Sequence, residues 1–328
     1  MLQERVLSYL EQKRGEVVTG GQIARQLGVS RTAVWKAVHA LQEKGHEIET
    51  MANKGYRLTD SSDGLSVQGI TSHLSTESFG RELELHETIS STNNRLKELN
   101  TASLPEGYTV AADEQTSGRG RLGRTFSSPA GQGIYFSVLL KPEIELQDIT
   151  LLTICAASAV CRAVDKICGV QTDIKWVNDV FLKGRKLCGI LSEAFISAEL
   201  QKIEGVVVGI GINTGVVDAA VKEIAVSLLE ITGQRGLRNQ LLAEVLNQLE
   251  KIYYDFTLHQ KREEILASYS ERLLFMGKQV ELAEGRKRYQ ASVLGVDENG
   301  ALRVRTQEGN QHSVISGEII ISKNRRIS

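Results

Sequence analysis

Apolar side chains recur with the period of an α-helix along the first forty-five residues. Leu2, Val6 and Leu10 form one apolar face of the segment LQERVLSYLEQKRG, which predicts a short amphipathic helix. The next segment, TGGQIARQLGVSRTAVWKAVHALQEKG, carries two further stretches of helical spacing, and Gly28 supplies a tight turn between them. This pattern predicts a helix-turn-helix.

Capping residues and a hairpin signal complete the element. Thr19 followed by Gln22 fits a capping box, and Ser30 is of the type that caps a helix N-terminus. The segment HEIETMANKGYRL predicts two short strands around the turn Asn53-Lys54-Gly55. A helix-turn-helix followed by a hairpin is a winged helix.

A winged helix can place its second helix in a major groove, with the N-terminal residues of that helix against base edges. We expect Arg31, Thr32 and Lys36 to face the groove and Lys54 to reach a phosphate; the alternative is a winged helix used for protein contacts. Residues 1–60 hold nine Lys and Arg against seven Asp and Glu. Because this basic excess is weak, DNA binding would require two copies on one site.

The pattern changes twice after the winged helix. TDSSDGLS is polar and without periodicity, which predicts a linker. Strands and helices then alternate to about Leu274, and the last fifty residues are short alternating strands joined by turns, which predicts a small β-barrel. The expected fold is α+β, with a winged helix-turn-helix at 1–62, a mixed α/β domain at 66–274 and a small β-barrel at 275–328.

Composition narrows the class of protein. The chain has 328 residues and a net charge of −1, so it is not a uniformly basic nucleic-acid coat. No apolar run approaches the roughly 20 residues that span a membrane, and the N-terminus lacks a signal-peptide pattern. The four cysteines show no C-x-x-C pairing, so we expect neither a zinc site nor a disulfide framework. A cytoplasmic protein is predicted.

The segment GRGRLGR, residues 118–124, which we call the Gly-Arg loop, carries three arginines among three glycines. No acidic residue occurs from Gln115 to Pro142 to neutralise them. Glycine leaves the backbone free to fold around a ligand. The loop is therefore expected to bind a nucleic-acid backbone or a nucleotide phosphate, unless its charges meet only solvent.

Three other clusters place polar side chains at the ends of predicted strands. HETISSTNNRLKEL passes from a strand into a helix, IKWVNDVFLKGRKLCGILSE is a strand followed by a hairpin that turns at Lys183-Gly184, and IEGVVVGIGINTG is an apolar strand that ends at Asn213. Taken singly, each has an ordinary explanation: a helix cap, a surface hairpin or a core strand. No Walker A or dinucleotide-binding sequence is present.

Five of these segments together, in their order behind a winged helix, resemble the bifunctional biotin–protein ligases that also repress the biotin operon. The segments are SSTN, EQTSGRGRLGR, KWVND, GRKLCGIL and GIGIN. The resemblance covers essentially the whole chain, and the Gly-Arg loop is its most diagnostic part, since lipoate ligases share the catalytic fold but have a different loop. It implies a central domain of the biotin/lipoate ligase type that uses biotin, ATP and Mg²⁺.

The resemblance also implies partners and site residues. The partners are a biotin carboxyl carrier domain of acetyl-CoA carboxylase or another biotin-dependent carboxylase, operator DNA, and a second copy of the chain when biotinyl-AMP binds. The implied catalytic residues are Lys186, Arg119 and Arg121. The implied biotin contacts are Ser91, Thr92, Asn93, Gln115, Gly118, Arg119, Gly120, Arg121 and Lys186. The implied nucleotide contacts are Arg121, Lys175, Trp176, Asn178, Asp179 and Asn213. No metal site formed by protein side chains alone is expected; Mg²⁺ would arrive on the ATP phosphates near Asn178.

The residue types suit this chemistry. The ureido group of biotin needs a few fixed donors and acceptors in an apolar pocket, and Ser91, Thr92 and Gln115 are of that type. The biotin carboxylate must attack the α-phosphorus of ATP, and cations placed where charge develops lower the barrier to this approach of two anions. The Gly-Arg loop is therefore predicted to neutralise a nucleotide phosphate; DNA binding by this loop is the alternative.

Three features depart from the family pattern. Val177 replaces the usual proline of K-W-P-N-D, and little effect on the chemistry is expected because valine can adopt the extended conformation that proline prefers. The segment TGVVDAAVKEIAVSLLE, directly after Asn213, has no aromatic residue, so aliphatic side chains such as Val217 or Ala220 are expected to cover the adenine. Cys188 lies close to Lys186, and we expect it to be a buried core residue rather than an oxidation-sensitive thiol.

Two other classes of function stay open. A biotin-sensing repressor without catalysis should lack Lys186 or the Arg119 and Arg121 pair, and a constitutive ligase with a relic N-terminal domain should lack Arg31 and Lys36. For the dimer, the apolar strand IEGVVVGIGIN is expected to pair with its twin at a sheet edge.

Overall fold

A computed structural model describes residues 1–52, 54–99, 101–196 and 202–320. The N-terminal part is a winged helix, as predicted. Its helices and strands are α1 (Leu2–Gln12), α2 (Gly20–Leu27), α3 (Arg31–Glu43), β1 (Ile48–Met51) and β2 (Gly55–Leu58). Strands β1 and β2 pair in antiparallel fashion. Asn53, in the predicted turn between them, lies outside the described residues.

The predicted helix caps are confirmed. The Thr19 hydroxyl accepts a hydrogen bond from the Gln22 backbone at 3.1 Å, and the Gln22 side chain accepts one from the Thr19 backbone at 2.7 Å. Ser30 caps α3 by accepting from the Ala33 backbone at 3.1 Å. Gly28 ends α2 with φ +67°, in the left-handed region that favours glycine. The helices therefore begin and end where the sequence indicated.

The segment between the winged helix and the central sheet is held by side chains. The Arg14 guanidinium donates to the carbonyl oxygens of Thr59 and Ser62, both at 3.0 Å, and it forms an ion pair with Glu11. Helix α4 (Val67–Thr71) follows, packs against α1, and is capped by Ser66. The predicted linker is thus held against the end of α1 by Arg14. The predicted domain ranges 1–62, 66–274 and 275–328 stay a prediction.

The middle of the chain forms a seven-stranded sheet in the order β3-β4-β5-β9-β8-β7-β6. Strands β3 and β4 are parallel, and the other neighbours are antiparallel. The strands are β3 (Leu83–Ile89), β4 (Thr109–Gln115), β5 (Gly133–Leu140), β6 (Asp173–Lys175), β7 (Asp179–Leu182), β8 (Arg185–Ile196) and β9 (Ile203–Asn213).

Helices cover both faces of this sheet. On one face, α5 (Thr92–Glu98) packs against β4, β5 and β9, with Leu96, Val110 and Val207 in a small separate core. The other face carries the main core, formed with α6 (Ile149–Cys168), α7 (Leu228–Thr232), α8 (Arg238–Thr257) and α9 (Arg262–Ser270). None of the described helices is long and apolar enough to cross a membrane.

The expected pairing of the strand IEGVVVGIGIN with its twin at a sheet edge is wrong. This strand is β9, and it is hydrogen-bonded to β5 on one side and to β8 on the other. Both rows of its backbone donors and acceptors are therefore occupied within one chain, so no further strand can be added to it. Its apolar run reflects a central position, where both faces of the sheet are buried.

The C-terminal sheet has five antiparallel strands in the order β13-β12-β11-β10-β14. They are β10 (Gln279–Glu284), β11 (Lys287–Val296), β12 (Leu302–Thr306), β13 (Gln311–Val314) and β14 (Glu318–Ile320). The predicted β-barrel is wrong, because β13 and β14 lie at opposite edges and do not pair within the described residues. One face of this sheet packs against the central helices and belongs to the main core. Its apolar side chains are therefore buried without the sheet closing into a barrel. Residues 321–328 of the predicted domain lie outside the described residues.

Candidate functional site

The predicted motifs meet in one cavity at the ends of β4, β8 and β9, which we call the site cavity. Predicted residues that line it are Ser91, Thr92, Asn93, Gln115, Arg119, Gly120, Arg121, Asn178 and Lys186. Predicted residues outside its lining are Gly118, Lys175, Trp176, Asp179 and Asn213. Segments that are distant in sequence thus form one site because each follows or lies on a strand of the same sheet.

A cluster of uncharged polar groups forms one wall of the cavity. The backbone N–H and the hydroxyl of Thr92 both donate to Gln115 Oε1, at 2.9 and 3.2 Å. The Gln115 amide then donates to the Ser128 hydroxyl at 3.0 Å. Ser91 caps α5, so helix α5 and strand β4 meet at this point. Such a wall can offer fixed donors and acceptors to a neutral polar ligand.

Asn93 has protein partners on both ends of its amide. The Ser137 hydroxyl donates to Asn93 Oδ1 at 2.6 Å, and Asn93 Nδ2 donates to Glu193 at 2.7 Å and to the Leu191 carbonyl at 3.3 Å. A Cβ at Gly209 would overlap the same amide. In this arrangement Asn93 ties α5 to the sheet, while its predicted contact with biotin stays a prediction.

The Gly-Arg loop is a tight hairpin over the cavity. The Gly120 N–H donates to the Arg124 carbonyl at 2.7 Å, and the Phe126 N–H donates to the Gly118 carbonyl at 2.9 Å. A Cβ at Gly118 would overlap the Phe126 carbonyl, so only glycine fits there. Gly123 has φ +73° and makes the turn. The glycines thus let the backbone fold back on itself, which brings Arg119 and Arg121 to the cavity.

The Phe126 ring, which the sequence analysis missed, occupies the cavity. A Cβ at Gly211 would lie 2.7 Å from Phe126 Cζ, and one at Gly189 would lie 3.1 Å from the same ring. The Lys186 ammonium lies 5.9 Å from the ring centroid. The cavity volume that remains is about 50 Å³, whereas pockets for drug-sized ligands hold roughly 300–1,000 Å³. A ligand of that size therefore requires Phe126 or the Gly-Arg loop to move.

Cations and hard oxygen atoms face each other at the other end of the cavity. Lys186 Nζ lies 2.7 Å from Asp179 Oδ1, and the Arg121 guanidinium donates to Asn178 Oδ1 at 3.1 Å. The Asn178 amide donates to the Ile190 carbonyl at 2.8 Å, which fixes its orientation. Two cations held on short contacts beside a cavity favour an anionic ligand. Among the residues that the structure describes, no cluster of His, Cys, Asp or Glu side chains could hold a metal ion by itself.

The C-terminal sheet reaches the edge of the site through Glu318. Its carboxylate accepts a hydrogen bond from Arg124 at 2.7 Å and lies 3.5 Å from the Lys175 ammonium. The hydrogen bond from Arg124 lowers the pKa of Glu318. Lys175 is buried, and desolvation lowers its pKa. No local sequence signal marks Glu318, because its partners are 143 and 194 residues away.

Three remaining predicted residues lie in or near the core. Trp176 is 2 % exposed, its indole N–H donates to the Gly300 carbonyl at 2.9 Å, and its peptide bond to Val177 is cis. The Asn213 amide donates to the Val226 carbonyl at 3.2 Å. Cys188 is fully buried, and burial raises the pKa of its thiol well above the usual range. The interpretation of Cys188 as a core residue is therefore confirmed.

The winged helix presents a separate candidate surface. On α3, the predicted groove-facing side chains of Arg31, Thr32 and Lys36 are all exposed, and Lys54 is exposed on the hairpin. Trp35 lies on the same face and is 54 % exposed, a feature that the sequence analysis did not single out. The buried residues of α3 are Val34, Ala37, Val38 and Leu41, so the exposed face cannot be the packing face.

Sequence comparison divides the chain in the same way as the fold. Residues 85–213 match the biotin/lipoate A/B protein ligase family. Residues 2–57 match a helix-turn-helix domain, and residues 275–322 match the C-terminal domain of biotin protein ligases. The three matches correspond to the winged helix, the central sheet and the C-terminal sheet.

Two curated relatives extend the match over nearly the whole chain, and a solved structure matches about three quarters of it. The bifunctional ligase/repressor BirA of Bacillus subtilis is 36% identical over 94% of this chain and 95% of its own length. BirA of Escherichia coli is 29% identical over 93% of each chain. The structure of the biotin protein ligase of Aquifex aeolicus in complex with biotin and ATP covers 73% of this chain and 98% of its own, with a TM-score of 0.64 and 31% identity. This chain therefore belongs to the biotin–protein ligase family, and over nearly its whole length it is similar to members named bifunctional ligase/repressor.

Proposed function

We propose that this protein activates biotin with ATP, transfers it to a lysine of a biotin carboxyl carrier domain, and represses transcription in response to biotin. The observation that carries the ligase half is the convergence of Arg119, Arg121 and Lys186 on a cavity whose opposite wall is uncharged and polar. Such a cavity suits a ligand that is neutral at one end and anionic at the other. Biotin next to the phosphates of ATP has this character.

In the first step, a biotin carboxylate oxygen attacks the α-phosphorus of ATP; the new O–P bond gives biotinyl-5′-AMP, and pyrophosphate leaves. Two anions must approach, so the cations Lys186, Arg119 and Arg121 lower the barrier by stabilising the charge that builds up between them. Thr92 and Gln115 hold the ureido group and fix the position of the tail. In the second step, the neutral amine of the acceptor lysine attacks the biotinyl carbonyl, the amide forms, the amine loses its proton, and AMP leaves.

Mg²⁺ fits this site as a companion of the nucleotide. Asn178 Oδ1 and the Asp179 carboxylate are hard oxygen donors beside the phosphate-binding cations, and Mg²⁺ is usually held by one or two such groups together with substrate phosphates. When bound, the ion neutralises phosphate charge. Lys175 and Asn213 are proposed to lie near the nucleotide, with Val217 or Ala220 over the adenine.

The DNA-binding half rests on the exposed cationic face of α3. Arg31, Thr32 and Lys36 are proposed to meet base edges, and Lys54 a phosphate, in the major groove. Because one winged helix has a small basic excess, two are proposed to bind a palindromic operator, so that phosphate contacts double. Biotinyl-AMP is proposed to order the Gly-Arg loop and favour a homodimer. The cytoplasm is the proposed location, where carrier domains and DNA are both available.

The ligase half is tested by incubating the full chain with biotin, ATP, Mg²⁺ and a carrier domain, and then weighing the carrier domain. A mass increase equal to one biotinyl group is expected, together with release of AMP and pyrophosphate. A carrier domain whose acceptor lysine is replaced by arginine is the matched control. An unmodified wild-type carrier would leave a biotin-sensing repressor without catalysis as the remaining function.

The repressor half is tested by operator affinity with and without biotinyl-AMP. By linkage, the adenylate favours the dimer by the same free energy with which dimerisation favours adenylate binding. Tighter operator binding with adenylate is expected, and an excess of unmodified carrier should reverse it by consuming the adenylate. Equal affinities would identify a constitutive ligase whose N-terminal domain has no regulatory role.

A further inference from the structure

The recognition face of α3 holds an exposed tryptophan that packing of the winged helix does not explain. The chain has two tryptophans; Trp176 is 2 % exposed, whereas Trp35 is 54 % exposed. The neighbours Val34, Ala37 and Val38 fill the core of the winged helix, so Trp35 cannot turn inward without removing them. Because Trp35 lies on the face of α3 that is proposed to meet DNA, its exposed indole is placed to contact a base edge in the groove.

The surroundings of Trp35 are suited to DNA. Arg31 and Lys36 flank it as exposed cations, and the Arg31 guanidinium packs beside the start of α2, where a Cβ at Gly21 would lie 3.1 Å from it. The His39 ring lies 5.7 Å from the indole, at an interplanar angle of 41°. This ring contact limits the rotation of Trp35 on the exposed face of α3.

The position of Trp35 along the helix determines what it can reach. Ser30 caps α3, so Trp35 lies on the second turn, within the N-terminal part of the helix that meets base edges in a helix-turn-helix complex. The cations beside it match phosphates or purine acceptors. The apolar feature that bases present in the major groove is the C5 methyl group of thymine.

We propose that Trp35 reads thymine in the major groove of the operator by packing its indole against the C5 methyl group. This proposal rests on the DNA-binding half of the proposed function and adds a specificity-determining residue to it. In a symmetric dimer, each copy reads one thymine, so two positions related by the operator's two-fold axis carry the preference.

The test uses the full chain and a duplex selected from a random DNA library by the wild-type protein with biotin, ATP and Mg²⁺. Each thymine of that duplex is replaced singly by uracil, which keeps every hydrogen-bonding group and removes only the methyl. Wild type should lose about four-fold in affinity at one position per half-site, the factor expected for one buried methyl group. Trp35→Ala should bind more weakly, with no uracil sensitivity at that position, and Trp35→Phe should retain part of it.

Fluorescence gives a second readout, since Trp176 is buried and Trp35 is not. The emission of Trp35, taken as the difference between wild type and Trp35→Phe, should shift to the blue when the selected duplex binds. A shift produced by biotin and ATP without DNA would instead assign Trp35 to a protein interface and overturn the proposal. A far-ultraviolet circular dichroism spectrum and a melting temperature of Trp35→Ala equal to those of wild type show that the winged helix of the variant is folded.

The outcomes separate this proposal from the function on which it rests. If the duplex binds but no thymine is sensitive to uracil, or if Trp35→Ala keeps the sensitivity, the methyl contact is wrong and DNA binding stands. If the wild-type chain selects no duplex, the DNA-binding half of the proposed function is wrong, and so is the proposed contact between Trp35 and thymine. The ligase half is untouched in either case.

Discussion

The ammonium nitrogen of Lys186 lies 2.7 Å from Asp179 Oδ1. Lys186 is on β8 and Asp179 begins the neighbouring strand β7, so sheet pairing holds the two charges together at the rim of the cavity. The contact keeps a cation in the cavity before any substrate phosphate arrives, and it places a carboxylate beside it. The consequences for catalysis can be tested with single substitutions.

Lys186→Met removes the charge and retains most of the side-chain length. We expect adenylate formation to fall by about 10²–10³-fold, the usual effect of removing one group that stabilises developing charge, because two anions must then approach without it. Pyrophosphate release measures this step. The control is Lys183→Asn, which removes an exposed lysine from the turn of the same hairpin at φ +50°, a conformation that asparagine tolerates. Near wild-type release by a folded Lys186→Met would contradict the assigned role.

Gly118→Ala should open the Gly-Arg loop, because the added Cβ overlaps the Phe126 carbonyl and lies 2.7 Å from Ser128 Oγ. Biotinyl-AMP should dissociate faster and biotinylate bystander lysines, which mass spectrometry of an added unrelated protein detects. Gly123→Asn is the matched control, since nothing lies within 4 Å of a Cβ there and asparagine tolerates the positive φ. Unchanged adenylate retention in Gly118→Ala would show that the loop does not hold the phosphate.

Arg238→Met should destabilise the central domain by about 3 kcal/mol, because removing a buried cation leaves its partners unpaired. The guanidinium is 2 % exposed and donates to the Gly133 carbonyl at 2.8 Å and to the Asp63 carbonyl at 3.1 Å. Urea unfolding followed through buried Trp176 measures the loss. Lys261→Met, which removes the exposed partner of Asp255, should leave the midpoint nearly unchanged. Equal midpoints for the two variants would show that Arg238 contributes no more than a surface pair.

The stability of the edge strand β3 should depend on acid through Glu84. The hydrogen bond from Arg95 is the main cause that lowers the pKa of Glu84 from 4.5 to about 2. Because the folded-state pKa lies below the unfolded one, the stabilisation is complete above about pH 4.5 and is lost as the pH falls towards 2. The melting temperature of Glu84→Gln should therefore lie below that of wild type at pH 7, and the difference should shrink as the pH is lowered. A difference in melting temperature that grows as the pH falls would contradict a pKa of Glu84 that is lowered by folding.

Lys36→Ala should weaken operator binding by about 1–3 kcal/mol and relax the preference for the base pair that Lys36 meets, as expected for a base-edge contact. Ligation should be unaffected, because the site cavity contains no residue of the winged helix. Lys251→Ala removes the same charge from an exposed position on α8 and should change neither activity. Equal losses of DNA binding and ligation in Lys36→Ala would mean that the two surfaces are not independent.

The sequence alone determined the features that depend on neighbouring residues. The capping box of Thr19 and Gln22, the cap at Ser30 and the hairpin turn at Lys183-Gly184 all involve residues a few positions apart, so local propensity decides them. The ordered motifs also identified most of the cavity lining, because polar residues at strand ends mark the edge of a sheet.

Tertiary structure alone decided the relations between distant segments. The Phe126 ring enters the cavity because Gly189 and Gly211, on two other strands, leave room for it, and Glu318 meets Arg124 across 194 residues. The β9 strand is central and the C-terminal sheet stays open, contrary to the sequence-based expectation. An apolar run indicates that both faces of a strand are buried, but it does not say which strands pair with its two edges. Short alternating strands likewise look alike in a barrel or an open sheet. Which neighbour buries each face depends on packing over the whole chain, and local periodicity does not contain that information.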